Sequence, residues 1–217
     1  MKLAITLTTL ALTVATSLYS GKNQDWQILF DGRSLDGWES NEETANVFSI
    51  TANGALMVEG GRAHLFWLGL DQTPATFTNF ELRAEVKTTQ NSNSGIFFHT
   101  RFQEKGWPQY GLEAQVNSSH KDARKTGSIY ALKDVLDVPP HPDDTWFEYT
   151  IRVEGKSVSI CIDGTEVNSY TEPENFIPLE NRPTTRLDSG TFALQAHDPK
   201  SLIYYRNIRV KPLPLTE

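Results

Sequence analysis

From residue 26 onward, apolar and polar positions alternate with a period of two through most of the chain. The runs at 26–30, 54–60, 63–70, 80–89, 94–102, 110–117, 127–132, 146–155, 157–164, 165–171, 190–197 and 202–211 are rich in β-branched or aromatic residues. Such runs read as β-strands. Asp163-Gly164 sits between two of them and predicts a tight hairpin with a type I′ turn; Gly155 and Asn53-Gly54 mark two more hairpins. The connections at 103–109, 118–126, 133–145 and 171–189 are polar and hold most of the prolines, the composition of rim loops that carry specificity. Strands spaced by about ten residues, with turn residues between, predict an all-β sandwich or barrel. We read one domain, from about 25 to 213.

The strand faces are unequal. In "SGIFFHTRF", Ile96, Phe98 and Phe102 share one face, and Gly95, Phe97, His99 and Arg101 the other. In "YGLEAQVN", Leu112, Ala114 and Val116 form an apolar stripe opposite Glu113, Gln115 and Asn117. In "TFALQAH", Gln195 and His197 oppose Phe192, Leu194 and Ala196. If these strands are neighbours, the polar residues form one platform, since cross-strand partners lie about 5 Å apart. Trp107 and Tyr110 flank it, and Tyr130 can join it. Flat aromatic rings beside hydrogen-bonding groups suit a sugar, which has an apolar face and a rim of hydroxyls. An antiparallel sheet can also simply be wet on one side, but short, stiff amides with few lysines are a poor choice for solubility alone.

The 217-residue chain has a formal net charge of −7 and no basic stripe, so nucleic acid is not an expected partner. Residues 1–20 have the form of a cleaved signal peptide: Lys2, an apolar stretch from Leu3 to Val14, and small residues Ala15, Ser17 and Ser20. This leads to an expectation of periplasmic or secreted localisation, with no transmembrane segment after cleavage. Cys161 is the sole cysteine, so the fold forms no internal disulfide and must be held by its core. The five histidines lack a tight zinc spacing, and "PPHPDD" at 139–144 is a common type of acidic loop. No metal site and no cofactor are expected, with a divalent ion, including calcium on oxygen ligands, left open. The oligomeric state is open as well.

"WQILFDGRSLDGW" at 26–38 resembles the opening Phe-Asn/Asp-Gly-x-x-Leu-x-Gly-Trp signature of the bacterial 3-keto-disaccharide hydrolase domain family. "NSGIFFHTR", "YGLEAQVN", "TGSIYAL" and "GTFALQAHDPKSLIYYRNIRV" follow in family order, so the resemblance covers about residues 26 to 211. It implies a concanavalin A-like jelly-roll sandwich of two antiparallel sheets and action on 3-keto sugars. By motif, Glu113 and Gln115 match the family's Glu-x-Gln strand, and Gln195 and His197 its Leu-Gln-x-His. Leu112 stands where the family usually has an aromatic residue, and His99 where it often has Arg.

Ordinary glycoside hydrolysis needs two carboxylates. The Glu113 strand carries one, which disfavours a conventional glucanase unless a loop supplies another. A 3-keto sugar needs only one base. The ketone acidifies the C2 proton, and the enolate expels the C1 substituent by β-elimination; water then adds to the enone. The candidates are Glu113 or His197 as base, and Gln115, Gln195 or Arg101 as donor to the enolate oxygen. His99 or Lys133 would protonate the leaving group. Asn117, Trp107, Tyr110 and Tyr130 would contact substrate. The rival expectation is a noncatalytic carbohydrate-binding module on the same platform.

Overall fold

The computed structural model describes residues 26–41, 44–70, 75–178, 180 and 182–215. The leader read at 1–20 lies outside the described residues. Two antiparallel sheets pack face to face. With strands numbered in chain order, the larger sheet runs β11 (Thr165–Thr171), β10 (Ser157–Ile162), β9 (Phe147–Glu154), β6 (Phe80–Thr88), β13 (Leu202–Pro212), β4 (Leu56–Glu59) and β3 (Phe48–Ile50). β1 (Gln27–Phe30) pairs with the second half of β13. The smaller sheet runs β2 (Trp38–Ser40), β5 (Ala63–Trp67), β12 (Thr191–Ala196), β7 (Ser94–Thr100) and β8 (Leu112–Val116). Among the described residues there is no helix.

The alternation read from sequence places the core between the sheets. Ile96, Phe98, Leu112, Ala114, Val116, Phe192 and Leu194 of the smaller sheet meet Leu82, Val86, Tyr149, Ile151 and Tyr205 of the larger. Asp163 and Gly164 take positive φ values of 49° and 76° between β10 and β11, as a type I′ turn requires. The larger sheet has an ordinary wet outer face, on which Glu81 bridges Arg83 and Arg152 at 2.6 and 2.8 Å. On the same sheet Arg206 covers the Trp146 ring at 4.0 Å.

Three local expectations are corrected. The short strand β2 was not foreseen. "GSIYAL" at 127–132 is not a ladder strand but a turn segment lying along the free edge of β8: Tyr130 N–H donates to Glu113 O at 2.9 Å, and Gln115 N–H to Ser128 O at 3.0 Å. Covering an edge in this way satisfies backbone groups that would otherwise invite another strand.

The third correction concerns β7. His99 adopts a left-handed φ of 56°, and the β7–β12 register shifts beside it. The bulge inverts the alternation. His99 turns to the core side, 2% exposed and 5.5 Å from the Phe80 ring, while Phe102 packs outward on Phe66. Gly111, directly opposite, allows this: a β-carbon there would strike the backbone of Phe98 and His99.

His99 Nδ1 accepts the Asp188 N–H at 3.1 Å, so Nε2 carries the proton donated to Thr78 O at 2.9 Å. His141 is also buried, stacked on Phe147 and bonded to Ser118 Oγ and Pro142 O. Burial pushes both imidazoles below their ordinary value. A neutral ring that charges more readily when unfolded contributes stability above the unfolded pKa of about 6.5, and loses it as pH falls through the folded value. In Glu113→Gln, which removes the one carboxyl raised into this range, the urea midpoint should therefore fall between about pH 7.5 and 5.5. An unchanged midpoint over that interval would contradict two buried neutral imidazoles.

Candidate functional site

The polar face of the smaller sheet is not wet. Every residue of β7, β8 and β12 is buried, on both faces. Loops cover the outer face and leave a cavity of about 200 Å³ over it. The cavity brings together Glu113, Gln115, Gln195, His197, Trp107 and Tyr130 from the sequence reading. It adds Asn93, Asp122 and Arg182, which that reading did not single out.

β8 and β12 flank β7, whose Gly95 pairs with Gln115 and lies beneath the Glu113 carboxyl. A β-carbon at Gly95 would collide with Glu113 Oε1, so the bare glycine is what lets the carboxyl group lie across the floor. Gln195 Nε2 donates to Glu113 Oε1 at 2.9 Å, and Gln115 Nε2 to Asn93 Oδ1 at 2.8 Å. The floor is pinned from the core side. Tyr149 donates to the Gln115 carbonyl at 3.2 Å; Ser94 donates to the Gln195 carbonyl at 2.5 Å while bonded to Tyr205 at 2.7 Å.

Glu113 is 8% exposed. Desolvation pushes its carboxyl up to about 7, against the Gln195 hydrogen bond and the Arg182 charge, with Asp122 adding to the rise. A carboxyl titrating there is poised for proton transfer at neutral pH. Asp122 thus supplies from the 118–126 loop the second acid that the strand lacks, although its Oδ1 is engaged by the Arg124 N–H at 2.9 Å.

His197 Nδ1 lies 2.9 Å from Asp198 Oδ2. An ionised carboxylate only accepts, so Nδ1 donates and Nε2 is left to exchange protons. Burial would raise the Asp198 pKa, but hydrogen bonds from His197, Ser201 and the Lys200 N–H bring it below its ordinary value. Trp107 packs 5.5 Å from the His197 ring and forms a wall. The Arg124 and Arg182 guanidiniums both lie over the Tyr130 ring, at 4.7 and 4.9 Å.

Other sequence candidates stand elsewhere. His99 faces the core because of the bulge. Beyond it, Arg101 stacks on Tyr110 at 4.4 Å and lies 3.9 Å from Asp188; neither Arg101 nor Tyr110 lines the cavity. Asn117 is fully buried and organises the next loop, donating to Asp122 O and Arg124 O and accepting from the His120 N–H. Lys133 donates to Ser169 O at 2.6 Å, away from the cavity. Gln115 and Gln195 each spend one N–H, on Asn93 and Glu113, and each amide keeps a second. Asp198 was foreshadowed by its place directly after His197; nothing in the sequence marks Arg182.

Among the described residues, His120, His197 and Asp198 form one group whose ligand atoms lie within 4.8 Å of one another. Its hydrogen bonds compete with metal binding. His120 Nδ1 accepts the Asp122 N–H at 3.2 Å, which leaves the hydrogen of a neutral ring on Nε2, towards Asp198.

Comparison with solved structures gives the class: a jelly-roll sandwich of the glucanase and lectin type. A candidate glycosyl hydrolase from Parabacteroides distasonis ATCC 8503 superposes with a TM-score of 0.72 at 21% identity, covering 87% of this chain and 94% of that one. The β-glucanase of Bacillus licheniformis gives 0.56 at 11% identity, over 88% and 98%. A carbohydrate binding module from Bacillus subtilis gives 0.54 at 12%, over 81% and 95%. Within that class, the chain belongs to the 3-keto-alpha-glucoside-1,2-lyase-like domain family, whose profile matches residues 25–211. No curated protein matches the chain.

The raised Glu113 carboxyl has a consequence for stability. Protonation of the buried group favours the folded state fully below about pH 4.5, and that contribution is lost as pH rises through about 7. The difference corresponds to about 3 kcal/mol. Glu113→Gln, which is always neutral, should therefore unfold at higher denaturant than wild type at about pH 9 and gain little at about pH 5. Equal gains at both pH values would contradict the shift.

Proposed function

We propose that the protein cleaves the glycosidic bond of 3-keto-glucosides by β-elimination, with hydration of the enone completing net hydrolysis. The observation that carries this reading is the desolvated Glu113 carboxyl, pushed up to about 7 inside a sugar-sized cavity walled by aromatic rings. Family membership supports the substrate class. The Glu113 carboxylate removes the C2 proton, and the electron pair moves to the ketone oxygen. Arg182, close enough for its charge to act on Glu113, faces the negative charge that develops. The enolate re-forms the ketone as the C1–O bond breaks, and His197, entering the step as the imidazolium, delivers its Nε2 proton to the departing oxygen. Asp198 accepts from Nδ1, so the ring left behind is the neutral Nδ1–H tautomer. Export by the 1–20 leader would place this activity in the periplasm or outside the cell.

The test is incubation with 3-keto-glucosides of both anomers and with their unoxidised parents, following leaving-group release and enone absorbance, with and without chelator. Only the keto forms should react. Glu113→Gln should lower turnover by about 10²-fold or more, and kcat/KM should rise with pH through about 7 as Glu113 ionises. Turnover of the unoxidised parents would instead favour a Glu113–Asp122 carboxylate pair. Binding of unoxidised sugar with no product from any keto form would favour a carbohydrate-binding role. Loss of activity on chelation would assign a metal to the His120–His197–Asp198 group.

A further inference from the structure

Asn117 and Thr126 close the neck of the 118–126 loop: the Asn117 N–H donates to Thr126 Oγ1 and the Thr126 N–H to Asn117 O, both at 2.9 Å. Within this loop sits a buried charge that the proposed reaction does not use. Lys125 is 8% exposed, and its ammonium donates to His120 O at 2.8 Å and to Asp122 O at 2.9 Å. Both bonds go to peptide oxygens rather than to a carboxylate. Lysine is rarely this buried without a counter-charge, because an ammonium is costly to desolvate. Water would satisfy two loop carbonyls at lower cost, but it would not fix them.

The two carbonyls belong to residues that face the site. Asp122 lines the cavity with Glu113, and the His120 ring lies 5.5 Å from the His197 ring. Asn117 grips the same two residues, donating to Asp122 O at 3.0 Å and accepting from the His120 N–H at 2.9 Å. We infer that Lys125 is a positioning residue of the site: its buried ammonium fixes the backbone of His120 and Asp122, and so sets where the Asp122 carboxylate stands relative to Glu113 and the His120 ring relative to His197. The inference rests on the proposed reading only for what this placement does in turnover. The charges acting on Glu113 are Arg182 of the 171–189 connection and Asp122 and Arg124 of the 118–126 loop; His197 shares the cavity, and Tyr149 and Tyr205 lie beneath. Arg124 keeps its own anchors, Asn117 on its carbonyl and Asp134 on its guanidinium. Asp122 is the charge that raises the Glu113 carboxyl, so releasing Asp122 from Lys125 lets the Glu113 midpoint fall.

Lys125→Met removes the ammonium and keeps an unbranched side chain. The readout is the titration midpoint of the Glu113 carboxyl, followed by NMR with and without Lys125→Met, in wild type and in an Asp122→Asn background. In wild type the substitution should lower the midpoint by about half a pH unit or more. In the Asp122→Asn background it should move the midpoint less than half as far, because two residues acting through one contact are not additive. The sign is informative: loss of a nearby positive charge by itself would raise the midpoint. The midpoint of kcat/KM against pH for a 3-keto-glucoside should move with the NMR value. A folded variant whose midpoint is unmoved or raised, or falls equally in both backgrounds, would overturn the inference. Failure of Lys125→Met and Lys125→Gln alike to fold would make Lys125 a folding residue and overturn it as well. The expected NMR shifts without turnover of any 3-keto-glucoside would overturn the underlying reading and leave the positioning in place.

Discussion

The carboxyl group of Glu113 lies on a strand covered on both faces, where a charge is expensive and solvation is replaced by a few fixed dipoles. The rest of the site is arranged around that burial. Gly95 gives up a side chain so that the carboxyl can lie flat. Gln195 is oriented by it, and Arg182 balances part of its charge. The loops that dry the cavity are themselves tied down by Asn117, whose amide closes the 118–126 turn. Removing water from this floor is thus what lifts the carboxyl of an ordinary glutamate into the neutral range.

The contrast between the two outer faces explains why one sheet bears the site. On the larger sheet, Glu85 and Glu148 are paired with arginines at 2.6 and 3.2 Å and remain partly open to solvent, while Glu81 is covered beneath Arg83 and Arg152. On the smaller sheet the polar residues are mostly amides, short and neutral, which can be buried when their hydrogen bonds are met. The strand chemistry had therefore selected the face that the loops would cover.

Much of this was legible in the chain. Period-two alternation located the strands of the core and put Glu113, Gln115, Gln195 and His197 on one face, because side-chain direction in a regular strand follows from position alone. The reading failed at His99, where one left-handed residue reverses the alternation; Arg101 and Tyr110 were carried out of the cavity with it. Asn117 and Lys133 have the right polarity but spend it on backbone carbonyls. Arg182 and Asp122 come from loops, whose course is set by tertiary contacts rather than by a local period, so no pattern announces them. The Phe-Asp-Gly-x-x-Leu-x-Gly-Trp signature proves architectural: Trp38 Nε1 bonds Leu29 O at 2.7 Å, Phe30 is buried in the core, and no residue of 26–38 lines the cavity.

Tyr149 and Tyr205 hold the floor strands from beneath, while the walls belong to the connections between strands. Such a division separates two rates of evolutionary change. The proton-transfer apparatus is locked to the hydrophobic core, where a substitution is felt by the whole sandwich. The walls around Trp107, Tyr130 and Arg182 can drift by insertion or exchange without disturbing it. On the proposed reading, a change of sugar or of leaving group would ask only for loop divergence, with Glu113 and its supports kept.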